Sequence, residues 1–429
     1  MHPIKRAMRV LIVNTSERTG GAAVAASRLM EALNNNGVKA KMLVRDKETK
    51  HLTVCALPGQ RCSQWHFLWE RLVIWMHLRL SRKHLFDVDI ANIGTDITKL
   101  PEFKEADVIH LHWVNQGMLS LKGIRKVLDT GKPVVWTMHD IWPATALCHL
   151  TLNCRNFETH CQRCRLLPKG GSENDYSTRM WRRKQRMLDG RKMTFVACSE
   201  WLAGEARKSA LLKGQSIINI PNAIDTHIFR PGNRQAARDL LGLPQGKRIV
   251  LFASQRVTNK YKGMDYVVEA CRQLAKEHHE ELENIAVAIL GGHAEEICGQ
   301  LPFHTYPLGY INDEHRIVAA YQAADVFVLP SLSENLPNTI MESMACGVPC
   351  VAFRIGGIPE EIDHRINGYV ADYQSIDDLA RGLWWTLMEA DCEALQKACV
   401  QKVARCWSQQ NVAKRYLEVY EDICRHHHV

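Results

Sequence analysis

The sequence predicts an α/β protein built from two doubly wound, parallel-sheet domains. Three observations carry this. The chain is 429 residues long, too long for one ordinary domain and comfortable for two. Short apolar, β-branched runs alternate with helical patterns, as expected of parallel sheets covered on both faces. The alternation comes in two series separated by a turn-rich stretch, so two sheets are expected.

The first series places strands at "RVLIVN", "KAKMLVR", "DVIHLHWV", "PVVWTMHD" and "TFVACS". The second places them at "RIVLFAS", "IAVAILGG", "DVFVLPS" and "VPCVAF". Helical patterns such as "AAVAASRLMEALNNNG" and "DEHRIVAAYQAA" lie between strands. The stretch "PNAIDTHIFRPGNRQ", residues 221–235, holds two prolines and a glycine and reads as the linker. The closing stretch "SQQNVAKRYLEVYEDICRHHH" is helical, with no strand after it.

Composition narrows the function classes. With 46% hydrophobic and 24% charged residues the balance is that of a globular protein. No apolar run reaches the roughly 18 residues of a membrane span. The opening "MHPIKRAMRVLIVN" passes from basic residues into a strand-like run without the cleavage site of a signal peptide, so a cytoplasmic location is expected. There the 15 cysteines should be thiols, most of them buried as small hydrophobes. A net charge of +9 suits phosphates, nucleotides or lipid headgroups. Nucleic acid is not expected, since no arginine-rich tail, zinc-finger spacing or RNA-binding aromatic motif is present.

Ligands of doubly wound sheets bind beyond the strand C-termini, so the residues that follow strands are the candidates. Gly20 and Gly21 in "VNTSERTGGAAVAASRL" follow the first strand and open a helix. They allow close backbone approach at a helix end that favours phosphate, or form a tight turn and nothing more. The pattern is not the dinucleotide fingerprint. His139 and Asp140 follow a strand in "WTMHDIWP", where a histidine can bond a sugar hydroxyl or phosphate or simply serve the strand end. Arg256 and Lys262 in "SQRVTNKYKGMD" can clamp a diphosphate or form a solvated basic loop.

The stretch "SENLPNTIMESMACGVPCVAF" follows the strand "VFVLPS" and holds Glu334 and Glu342 with seven residues between them. Pro337 suits the first helical turn. The N–H groups of Asn338 and Thr339 then point at a phosphate. Glu342, one turn in, can accept from a ribose diol, and Glu334 reaches another part of the ligand. Hydroxyls, phosphates and hydroxyls again describe a nucleotide sugar.

These residues resemble a known family. The Glu334-x7-Glu342 spacing, the "GVPCVA" strand, "GGIPEEI" and "IPNAIDTHIFRP" look like the donor site of the family 4 retaining glycosyltransferases, with Ala223 where glycine is usual. "WTMHDIWPATALC" is similar to WcaC-like colanic-acid transferases of exopolysaccharide assembly. The resemblance covers most of the chain, most strongly residues 216–372. It implies a GT-B fold, with an acceptor domain over 1–215, a donor domain over 216–408 and a final helix, about 409–429, crossing back onto the first.

It also implies roles. Glu342 binds the ribose, Glu334 the transferred sugar, and Lys262 the leaving diphosphate. Arg256 assists from one residue beyond the usual spacing. His139 lies near the reacting sugar, and Gly21, Asn338 and Thr339 offer N–H groups to phosphate. No metal is needed for catalysis. The acceptor is a glycan or a lipid-diphosphate-linked unit at the inner face of the cytoplasmic membrane. The alternatives are a hydrolase or epimerase acting on the nucleotide sugar, and a scaffold that binds it without turnover.

Two further features stand apart. Cys148, Cys154, Cys161 and Cys164 fall close together in "CHLTLNCRNFETHCQRC" and read either as a structural zinc site, with His149 and His160 as substitute ligands, or as packing thiols. In residues 61–85 Trp65, Leu68, Trp69, Leu72, Trp75 and Met76 recur at helical spacing. Arg61, Arg71, Arg79, Arg82 and Lys83 stand there against one acid, Glu70. That composition suits a helix in a membrane interface, with "TRMWRRKQRML" at 178–188 adding charge, or else a buried core helix extended by Val73 and Ile74.

Overall fold

The computed structural model describes residues 6–427. The chain divides into two compact units, Met1–Ala223 with Gln409–Val429, and Ile224–Ser408. The division falls after Ala223 rather than after residue 215 because residues 216–219 add a seventh strand to the first sheet.

The first sheet contains β1 (Arg9–Ser16), β2 (Lys39–Asp46), β3 (Val54–Ala56), β4 (Val108–Leu111), β5 (Val134–Met138), β6 (Thr194–Ala197) and β7 (Ser216–Asn219). The order is β3-β2-β1-β4-β5-β6-β7, every pair parallel. The second contains β8 (Arg248–Arg256), β9 (Ile285–Gly292), β10 (His304–Gly309), β11 (Val326–Leu329), β12 (Cys350–Phe353) and β13 (Gly368–Ala371). Its order is β10-β9-β8-β11-β12-β13, again parallel throughout. Both orders reverse direction beside the first strand of their series, the place where doubly wound sheets open a crevice.

All nine strands read from the sequence are present. The four that lack a clear apolar run are β3, β7, β10 and β13. β3 has only three residues, β7 is half-exposed, and β10 contains Pro307. A strand with one solvated side loses the continuous apolar signature.

Seven helices matter below: α1 (Gly21–Asn35), α2 (Gln60–His77), α3 (Tyr176–Leu188), α4 (Met264–Glu277), α5 (Glu314–Ala323), α6 (Asn338–Ala345) and α7 (Gln409–His427). Along β1 the side chains alternate between two cores. Leu11 and Val13 face one, and Val10 and Ile12 face the other. The second core includes α1 and the buried Tyr416 and Tyr420 of α7.

A polar chain pins α7 down. Tyr420 Oη lies 2.7 Å from His110 Nδ1, His110 Nε2 lies 2.7 Å from Thr137 Oγ1, and Thr137 Oγ1 lies 2.8 Å from Tyr416 Oη. A buried imidazole is tolerated there because both of its nitrogens have partners.

Candidate active site

In parallel sheets every strand ends on the same edge, so residues after strands gather there. In the first unit β1 runs into a loop closed by Gly20, whose φ of +94° is a conformation that favours glycine. Gly20 is the N-cap of α1, which opens at Gly21, and the N-terminus of a long helix suits an anion. Glu17 braces this loop against the end of β2, accepting from the N–H groups of Glu48 and Thr49 at 2.6 and 2.8 Å.

His139 follows β5 and is half-buried. Its Nε2 lies 2.9 Å from His112 Nδ1, and its Nδ1 lies 3.5 Å from Cys198 Sγ. Burial pushes His139 down to about 4 against the opposing pull of Asp140. It is therefore a neutral hydrogen-bonding ring at neutral pH, suited to a hydroxyl more than to a phosphate.

Beneath it lies a network absent from the sequence reading. Asp140 accepts from the Trp142 N–H at 2.8 Å and the Trp113 indole N–H at 3.1 Å, and pairs with His149 Nδ1 at 2.7 Å. The other nitrogen of His149 lies 2.7 Å from Asp89, which forms a buried ion pair with Arg71. Expected as a substitute zinc ligand, His149 instead joins two carboxylates. His160, the other substitute, packs edge-on to the Trp181 ring at 5.7 Å.

The four clustered cysteines need a correction as well. Among the described residues no group of three or more His, Cys, Asp or Glu side chains is placed to hold a metal ion. Cys161 and Cys164 pack against the core of the first unit. Burial pushes the Cys148 thiol up to about 12 and raises Cys161 and Cys164 too. Burial thus keeps Cys148, Cys161 and Cys164 protonated at neutral pH.

In the second unit Lys262 sits in the loop between β8 and α4. Its Nζ lies 2.5 Å from Glu334 Oε1 in the loop after β11. Two glycines make this approach feasible. Gly263 has φ +74°, and a Cβ on it would meet Pro330 O at 1.9 Å. Gly356 has φ +57°, and a Cβ on it would meet Glu334 O at 1.8 Å. Gly357 N–H also donates to Asn335 O at 2.8 Å. The glycine pair in "GGIPEEI" thus shapes the Glu334 loop.

Pro337 is the N-cap of α6, one position earlier than the first-turn place expected for it. Asn338 and Thr339 form the first turn. Glu342 is buried one turn on, where its Oε2 accepts from Tyr321 Oη of α5 at 2.8 Å. Arg256 ends β8, is exposed, and donates through Nε to Thr258 Oγ1 at 3.1 Å.

One buried acid was missed. Among the described residues neither carboxyl oxygen of Glu361 has a hydrogen-bond partner. Burial drives it well above the usual carboxyl range, and the nearby Glu334 and Glu360 add to the rise while Lys402 opposes it. The doubled acid in "GGIPEEI" was the available signal. Tyr321 carried none, because its role depends on a partner 21 residues away.

Gly20, Gly21 and His139 therefore line the strand-end edge of the first sheet. Lys262, Glu334, Asn338, Thr339, Glu342 and Arg256 belong to that of the second. Residues 19–228 match the profile described as Glycosyltransferase Family 4, and residues 233–402 that of Glycosyl transferases group 1. The chain has the GT-B fold, and its two parts are each similar to glycosyltransferase domains of one of these types.

Among curated relatives, D-inositol 3-phosphate glycosyltransferase 2 of Catenulispora acidiphila is 31% identical over 167 residues, 36% of this chain and 38% of the relative. D-inositol 3-phosphate glycosyltransferase of Saccharomonospora viridis is 26% identical over 219 residues, 48% of this chain and 50% of the relative. The chain thus spans half or less of these relatives' length. Among solved structures, sucrose-phosphate synthase from Thermosynechococcus elongatus superposes with a TM-score of 0.65 at 17% identity, covering 97% of this chain and 99% of that one. Anabaena HepE in complex with UDP-glucose gives 0.63 at 17% identity, covering 97% and 100%.

Proposed function

We propose that the protein is a retaining glycosyltransferase of cell-surface polysaccharide biosynthesis. It moves a sugar from a nucleotide-diphosphate sugar to a glycan or lipid-diphosphate-linked acceptor, working in the cytoplasm at the inner membrane face. The observation that carries the reading is the Lys262–Glu334 pair at 2.5 Å, followed within one loop by the N-terminus of α6 and Glu342. Cation, hydroxyl acceptor, amide-rich helix end and second carboxylate follow one another as the parts of a nucleotide sugar do. The UDP-glucose complex of Anabaena HepE supports the donor class by analogy of fold.

In this reading the diphosphate draws Lys262 away from Glu334, which then accepts from hydroxyls of the sugar. The bond between the anomeric carbon and the diphosphate oxygen breaks through an oxocarbenium-like state. The acceptor oxygen bonds to that carbon on the same face, and its proton passes to the departing diphosphate. Lys262, Arg256 and the α6 N-terminus stabilise the charge that builds there. The second domain binds the donor and the first the acceptor, with neutral His139 bonding a hydroxyl.

A thermal-shift screen over nucleoside diphosphates and their sugars tests the donor class. NMR of the product formed with acceptor tests the outcome: an inverted anomer defeats retention, and free sugar or an epimer formed equally without acceptor defeats transfer. D-inositol 3-phosphate is a soluble acceptor to include.

A further inference from the structure

α2 is amphipathic the wrong way round. Its buried side holds Glu70 and Arg71, which are 0% and 6% exposed, along with Ser63 and Ile74. Its outer side presents Trp65, Leu68, Trp69, Leu72 and Met76, with the two tryptophans 70% and 49% exposed. These five recur along one helical stripe. The exposed apolar area is on the order of 500 Å², at the upper end of what a monomer leaves uncovered.

The orientation is locked by polar contacts. Glu70 Oε1 accepts from the N–H groups of Ile90 and Ala91 at 2.9 and 2.6 Å. Arg71 donates to Leu85 O at 2.7 Å and pairs with Asp89. Rolling the helix to hide its tryptophans would strand these charges, a cost above that of apolar exposure.

The surroundings say what covers the stripe. Glu70 is the one acid between residues 60 and 86, and it faces inward. Just past the helix Arg79, Arg82 and Lys83 are exposed; the side chain of Arg61 lies outside the described residues. His77 stacks on Tyr176, the first residue of α3, at 3.8 Å. α3 has no acid and exposes Arg179, Arg182, Arg183 and Arg186. Two stretches about a hundred residues apart thus meet as one basic border to one apolar stripe.

The stripe also starts at the working edge of the first sheet. A Cβ on Gly117, in the loop after β4, would meet Phe67 N at 2.6 Å. The Arg45 guanidinium, near the end of β2, lies 5.4 Å from the Phe67 ring.

We propose that α2, its basic extension and the arginine face of α3 form a docking surface for an anionic lipid bilayer. The tryptophans sit at headgroup depth and the arginines on lipid phosphates. No helix among the described residues is long and apolar enough to cross a membrane, so the contact is peripheral. This deepens the reading of a membrane-borne acceptor and rests on it for its purpose.

The test is sedimentation of the full chain with phosphatidylcholine vesicles, with and without phosphatidylglycerol. The protein should pellet with the anionic vesicles at low salt and release at high salt. Trp65→Ser with Trp69→Ser should lower the partition coefficient about tenfold or more, with an unchanged melting temperature and unchanged stabilisation by UDP. Arg79→Glu with Arg82→Glu should lower it on anionic vesicles only. Failure of the wild type to pellet, or full binding by the tryptophan double variant, overturns the proposal. So does a dimer in sedimentation velocity that this variant dissolves while vesicle binding persists, since the stripe then joins two copies. Lost UDP stabilisation with intact vesicle binding would instead strike the donor reading and leave the docking surface standing.

Discussion

Acidification from about pH 7.5 to about pH 5 should cost the first unit a large share of its stability, through the histidines behind its strand ends. Burial pushes His110 down to about 3 and His139 to about 4, from 6.5 for a free ring. His112, between them, is lowered well below the usual value by the same burial and by its two neighbours. The sign follows from the direction of these shifts. The unfolded chain takes up protons as the pH falls through 6.5, and the native unit does not until near pH 4. Stability is therefore complete above 6.5 and lost progressively below it.

For native values of about 3 and 4, each of His110 and His139 loses about 2 kcal/mol by pH 5, together about 4 kcal/mol. A domain's whole stability is about 5–15 kcal/mol, so the melting transition should fall by many degrees. Tryptophan fluorescence is the assay, since eight of the eleven tryptophans lie in this unit. His110→Gln keeps hydrogen-bonding capacity toward Tyr420 and Thr137 without titrating. It should recover about 2 kcal/mol of the loss. Equal melting temperatures at both pH values, or an unchanged loss in His110→Gln, would refute the reasoning.

Three further outcomes are expected. Glu342→Ala should weaken nucleoside diphosphate binding by about 1–3 kcal/mol in calorimetry, because a buried diol loses its acceptor; Tyr321→Phe, which removes one hydrogen bond to Glu342, should cost less, and wild-type affinity in Glu342→Ala removes the ribose assignment. Lys262→Ala should lower kcat more than donor affinity, since leaving-group charge grows towards the transition state; a change in KM alone counts against that role. Glu361→Gln should raise the melting temperature at pH 8 and leave it unchanged near pH 4, because a carboxyl raised by burial loses stability as pH rises; no gain at pH 8 would mean that the ionised form has partners.

Periodicity was enough to place the nine strands, both sheets, the positions of His139, Lys262 and Glu334 in the loops after strands, and that of Glu342 in the helix that follows. An interior parallel strand is buried on both faces, so its local composition reports its place directly. Edge strands β3, β7 and β10 lack that signature because solvent replaces one neighbour. Only the tertiary structure decided what distant partners decide. Cys161 and Cys164 took places against the core of the first unit once their chain path was set. His149 turned into a bridge because Asp89 and Asp140 converge on it, and Glu361 emerged as a carboxyl buried without a hydrogen-bond partner among the described residues. α2 shows the limit best. Its composition suited a core helix as well as an interfacial one, because Trp, Leu and Met serve both. What settled its orientation was the anchoring of Glu70 to the N–H groups of Ile90 and Ala91, twenty residues on, a contact that no local pattern encodes.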